Sequence, residues 1–136
     1  MTDVFSKSKR SEVMSRIKGR NTKPELVVRS LLHRLGYRFR LHRTTLPGKP
    51  DIVLPRFKTV IFVHGCFWHR HKDCRFAYTP KSRTDFWLKK LESNEIRDIR
   101  VKSDLELLGW RVITVWECEL RDMDLLSRKI VAELGR

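Results

Sequence analysis

Residues 59–63 read TVIFV, an apolar run without the alternation of a strand that has one wet face. Such a run belongs in the middle of a sheet whose two faces are both covered. Its flanks supply the neighbours. PDIVL (50–54) is a short strand opened by a proline and an acid, and Pro55 to Lys58 turns the chain back into the central run. YRFRL (37–41) alternates aromatic or apolar residues with arginine, as a strand with one wet face does, and Pro47-Gly48 marks a turn. WRVITVW (110–116) makes a fourth strand.

Three helices are predicted around these strands. Asn21-Thr22 offers a cap, Pro24 suits a first turn, and Glu25 stands where the helix dipole favours an acid. Val27, Val28, Leu31, Leu32 and Leu35 form one stripe before Gly36 closes the helix. Thr84 or Asp85 can cap a long second helix that carries Phe86, Trp87, Leu88, Leu91, Val101, Leu105 and Leu108 and ends at Gly109. Residues 122–134 form a third, amphipathic helix. The order helix, three strands, helix, strand, helix predicts one three-layer α/β domain with a mixed sheet over residues 21–136.

Lysine and arginine total 30 against 16 acids, a formal net charge of +14, and a field of that sign attracts polyanions. No basic amphipathic helix with an aromatic face stands out, so nucleic acid is the expected partner rather than a membrane surface. No apolar run approaches the roughly 20 residues that cross a bilayer. MTDVFSKSKR lacks the apolar core of a secretory signal, and a cytoplasmic location is expected. Residues 1–20 are basic and polar, with Val13, Met14 and Ile17 on one weak helical face, and are expected to order on DNA.

Three cysteines, an odd number, argue against a disulfide framework. Cys118 suits a small buried hydrophobe, whereas Cys66 and Cys74 lie in FVHGCFWHRHKDC (62–74), among histidines and polar residues. A closed zinc site wants four nitrogen or sulfur ligands in a tetrahedron. Cys66, His71 and Cys74 are close enough for one loop to wrap an ion, and Cys118 is placed to supply the fourth ligand. Composition does not choose among His64, His69 and His71.

Metal-assisted hydrolysis of a phosphodiester needs hard oxygen ligands, chiefly carboxylates. Asp51 opens a strand, Glu25 opens a helix and Asp98 lies midway along another. Each alone also reads as an ordinary charge: a turn cap, a dipole partner, or a solvated acid paired with Arg97 or Lys102. Asp51 is singled out by the adjacent strand, which ends in His64 and leads to His69. A carboxylate and neutral imidazoles on adjacent strands make a metal and general-base pair. Phe67 and Trp68 fall between a candidate ligand and a candidate base, on a loop where a core is not expected.

Pro50-Asp51, followed by a buried strand ending in Phe62-Val63-His64, is similar to the PD-(D/E)xK nuclease pattern, with FxH in place of the acid-x-lysine half. Together with CFWH and WRVITVWEC (110–118), it makes the chain closely resemble the very short patch repair mismatch endonucleases over nearly its whole length. The resemblance implies a restriction-endonuclease-like fold and a monomeric, magnesium-dependent enzyme. That enzyme nicks the thymine strand of a T:G mismatch, on the 5′ side of the thymine, where 5-methylcytosine has deaminated. It also implies mismatch-repair proteins as partners.

Carried onto matching positions, the resemblance implies that Asp51 binds magnesium with the backbone carbonyl of Val63. His69 would be the general base, and His64, Glu25 and Asp98 would position phosphate, metal-bound waters or His69. It implies a structural zinc on Cys66, His71, Cys74 and Cys118. Phe67, Trp68 and Trp87 would stack beside the mismatch from the major-groove side and Met14 would wedge from the minor groove. Such stacking is worth about 1–3 kcal/mol per base and is cheapest at a weakened pair. Lys72-Asp73 makes the stretch between His71 and Cys74 one residue longer than in the better-known members. Two other readings stand beside this one: a zinc-stapled DNA-binding module without catalysis, and a nuclease of the same fold with different mismatch or site specificity.

Overall fold

A computed structural model describes residues 22–135 of the chain, apart from 42 and 44. The basic amino-terminal arm, with the wedge expected of Met14, lies outside the described residues. Helix α1 is Lys23–Arg34, and the Thr22 hydroxyl caps it by accepting from the Glu25 amide at 3.4 Å. Strands β1 (Arg40–Leu41), β2 (Ile52–Leu54) and β3 (Thr59–His64) follow, with a single 3-10 turn, Pro55–Phe57, between the last two. Helix α2 is Thr84–Leu107, β4 is Arg111–Trp116, a second 3-10 turn is Glu117–Arg121, and α3 is Met123–Leu134.

The sheet order is β1-β2-β3-β4, with β1 and β3 antiparallel to β2 and β4 parallel to β3. The TVIFV run therefore occupies an inner strand, as its lack of alternation requires. Ile52, Leu54, Ile61, Ile113 and Val115 on one face pack against Val28, Leu31 and Leu32 of α1 and Leu126, Ile130 and Leu134 of α3. Val53, Val60 and Phe62 on the other face pack against Leu105 of α2 and Trp110. Three layers result. Burying each of these aliphatic side chains contributes about 1.5–3 kcal/mol, and this burial holds the layers together.

Two details differ from the sequence expectation. YRFRL was expected to be strand throughout, but ladder pairing is confined to Arg40–Leu41. Tyr37 is instead turned into the core, where it meets the edge of Phe57 at 5.5 Å. The long helix begins at Thr84 without a side-chain cap, because the Thr84 hydroxyl donates back to the carbonyls of Pro80 and Lys81. Among the described residues no helix is long and apolar enough to cross a membrane.

The antiparallel pairing of β2 with β3 brings Asp51, just before β2, beside the end of β3. The Val63 amide donates to Asp51 Oδ2 at 2.8 Å. From His64 the chain leaves the sheet into the loop that carries Cys66, His69, His71 and Cys74.

Candidate active site and metal cluster

An open cleft of about 1150 Å³ lies at this rim, and Glu25, Asp51, Val63, His64, Trp68, His69 and Asp98 all line it. These seven residues come from five elements or loops: the start of α1, the approach to β2, the end of β3, the loop after it, and the middle of α2. Burial pushes the Asp51 carboxyl up to about 7, against the pull of the Val63 amide, and the Glu25 carboxylate adds to the rise. Glu25 is itself buried and accepts from Arg29 at 3.0 Å. Two carboxyl groups in one partly dry corner repel, and a hard divalent cation between them would relieve that repulsion.

His69 Nδ1 lies 2.6 Å from Asp98 Oδ2. A carboxylate offers only acceptors, so Nδ1 carries the proton and the Nε2 lone pair is left to take another. The His64 and His69 rings stack with centroids 3.8 Å apart and planes only 4° from parallel. Burial, helped by its neighbour His69, lowers the His64 imidazole to about 4, so this ring is neutral at neutral pH. The donor atoms of His64, His69 and Asp98 lie within 4.8 Å of one another, a spacing an ion could bridge. The two ring planes, however, are nearly parallel and 3.8 Å apart at their centroids, so their in-plane lone pairs lie in separate planes and do not converge on one point. The geometry therefore suits proton transfer better than chelation.

The same loop takes part in a second cluster. The ligand atoms of Cys66, His71, Cys74 and Cys118 all lie within 4.8 Å of one another. His71 Nδ1 is 3.8 Å from the Cys66 sulfur and 3.3 Å from that of Cys118, and its ring stacks on Trp116 at 4.1 Å. Cys118 comes from the 3-10 turn after β4, where Glu119 fixes the chain by accepting from the Trp116 amide at 2.8 Å and pairing with Lys129 at 2.9 Å. Burial pushes the Cys66 thiol up to about 12 and raises Cys118, while the Phe76 backbone amide lowers Cys74. Three sulfurs and one imidazole form a soft donor set able to hold a metal ion, whose charge would offset the cost of ionising buried thiols.

The aromatics carried by this loop and the start of α2 gather rather than scatter. Phe67 meets Trp68, Tyr78 and Trp87 at centroid distances of 5.2, 5.1 and 5.5 Å, and Trp68 meets Trp87 at 5.8 Å. Phe67 is thus half-buried in a small aromatic nest, whereas Trp68 stays exposed at the cleft. Lys49, Arg70, Lys72, Lys90, Arg97 and Lys102 also line the cleft, so its rim is cationic.

Sequence reasoning passed over Asn94 and Glu95. Asn94 donates to the Trp68 carbonyl at 2.9 Å and Glu95 pairs with Arg70 at 3.0 Å. The available signal was their spacing with Asp98, which puts all three on one side of α2.

Comparison with known proteins adds an independent line. A family model described as DNA mismatch endonuclease Vsr matches residues 2–75. The type II nicking enzyme V.XorIIP of Xanthomonas oryzae pv. oryzae is 52% identical over 130 residues, covering 96% of this chain and 95% of that protein. The type II nicking enzyme V.NmeAIP of Neisseria meningitidis serogroup A is 48% identical over 96% of this chain and 92% of its own length. The DNA mismatch endonuclease Vsr of Escherichia coli K12 is 45% identical over 98% and 85%.

Proposed function

Because the chain belongs to the Vsr family of DNA mismatch endonucleases, we propose that it nicks the thymine strand of a T:G mismatch on the 5′ side of the thymine, with magnesium as cofactor. We assign its sheet and helices to the restriction-endonuclease-like, PD-(D/E)xK class. The observation that carries the reaction is the His69–Asp98 pair, 2.6 Å apart, in the same cleft as the Asp51 carboxyl.

Asp51 and the Val63 carbonyl would hold the cation, which would supply positive charge against the scissile phosphate. Asp98 keeps the His69 proton on Nδ1 and stabilises the imidazolium formed when Nε2 accepts a proton from water. His64, neutral and stacked on His69, keeps that ring in plane and adds no competing charge. Glu25, beside Asp51 in the cleft, would help to orient water there. The cationic rim steers the duplex to the cleft. Trp68, with Phe67 and Trp87 behind it, stacks beside the weakened pair. Zinc on Cys66, His71, Cys74 and Cys118 staples the loop that bears both Trp68 and His69.

The test is incubation with magnesium of T:G and fully paired duplexes, each strand labelled separately, resolved on denaturing gels. A single cut 5′ to the mismatched thymine is expected. Cutting of both strands of a paired duplex would point to a nuclease of other specificity. Tight binding with no cut under any divalent cation would leave a zinc-stapled binding module.

A further inference from the structure

Three consecutive residues of the loop after β3 are each held by a different residue from a single turn of α2. Asn94 Nδ2 donates to the Trp68 carbonyl at 2.9 Å, Asp98 meets His69 Nδ1 at 2.6 Å, and Glu95 meets Arg70 Nε at 3.0 Å. Arg97 donates to Asn94 Oδ1 at 3.1 Å, which fixes the amide with its nitrogen toward Trp68. Arg70 has φ 49°, the left-handed backbone that a non-glycine residue keeps only where its surroundings hold it. The ring of His69 is thus aimed by a loop held on both sides, by Asn94 at the Trp68 carbonyl before it and by Glu95 at the Arg70 side chain after it.

We infer that Asn94 and Glu95 are positioning residues, which mount Trp68 and His69 on one rigid turn of α2. Seating of the indole beside a mismatch and alignment of the imidazole then become one event. The kinetic consequence rests on the nicking reaction proposed above; the geometric one does not. The Arg70 and Glu95 side chains are 35% and 42% exposed, and pairs this exposed contribute little to global stability. Their effect on the loop can therefore be separated from folding.

The experiment compares wild type with Asn94→Ala, Glu95→Ala and Glu95→Gln in two measurements. The first is single-turnover nicking of a saturated T:G duplex, alongside affinity for paired duplex. Displacing a base by a fraction of an ångström is expected to slow nicking about tenfold in Asn94→Ala and about threefold in Glu95→Ala. Glu95→Gln, which still accepts a hydrogen bond, recovers part of the loss. Affinity for paired duplex stays within about twofold and the thermal midpoint within about 2 °C, while Asn94→Ala lowers preference for the mismatch.

The second measurement needs no DNA. The proton shared by His69 and Asp98 should give a low-field NMR resonance that is sharp in wild type and broadened or lost in both alanine variants. Wild-type nicking rates together with an unchanged resonance would overturn the inference. If wild type itself nicks no mismatched duplex, the proposed reaction fails, and the resonance alone decides whether this turn of α2 is the mount.

Discussion

His64 and Asp51 line the same cleft, and burial shifts their ionisation in opposite senses. The His64 imidazole is lowered to about 4. The folded protein therefore binds its proton less readily than the unfolded chain, and the stability it contributes is present above about pH 6.5 and lost as pH falls toward 4. Asp51, raised to about 7, works the other way, and its contribution is lost as pH rises from about 4 to 7. The two partly cancel in the wild-type profile, so a difference measurement is needed. Urea unfolding of wild type and His64→Gln at about pH 7 and about pH 5 should show the variant losing less stability on acidification. Between those two pH values the gap reaches at most about 2 kcal/mol, because the rest of the loss falls below about pH 5. Parallel losses would mean that His64 is solvated and free to protonate.

Among the elements, the turn before β2 and the loop after β3 bear most directly on the site. Gly48 has φ 74°, and a Cβ there would overlap Val101 Cγ1 on α2. Gly48→Ala combines a strained backbone with an overlap in a packed seam, so it should cost at least about 2 kcal/mol by urea unfolding. A neutral result would show the turn free to move away from α2. The loop from 65 to 83 has little regular structure of its own. Metal analysis should find about one zinc per chain, and a chelator should speed hydrogen exchange in this loop while β3 and β4 stay protected. No bound metal and no change with chelator would remove the staple.

The same elements show what could be read in advance. TVIFV declared its inner position because an unalternating strand has no face to spare for water. YRFRL alternates convincingly, yet Tyr37 leaves the ladder for a core contact with Phe57 that no local pattern encodes. Asp98 could equally have paired with Arg97 or Lys102 along its own helix. Its bond to His69 depends on the path of a loop, and the same path hid Asn94 and Glu95.

At the scale of the whole molecule, a net charge of +14 and a cationic cleft rim make affinity for duplex mainly electrostatic. Log affinity should fall linearly with log salt, with a slope of about 0.9 for each phosphate neutralised. Preference for a mismatch, arising from stacking, should be nearly independent of salt, and Trp68→Ala should lower it by about 1–3 kcal/mol while sparing affinity for paired duplex. A uniform loss on both duplexes would assign Trp68 to packing.

All of this converges on whether Asp51 is the carboxylate that makes the cleft a nuclease. The most direct measurement is the single-turnover nicking rate of a T:G duplex, labelled on the thymine strand, by wild type and Asp51→Ala with magnesium. The variant is expected to bind the duplex comparably and to nick at least about a hundredfold more slowly. Equal rates would contradict the assignment, and the chemistry would have to lie elsewhere on the chain.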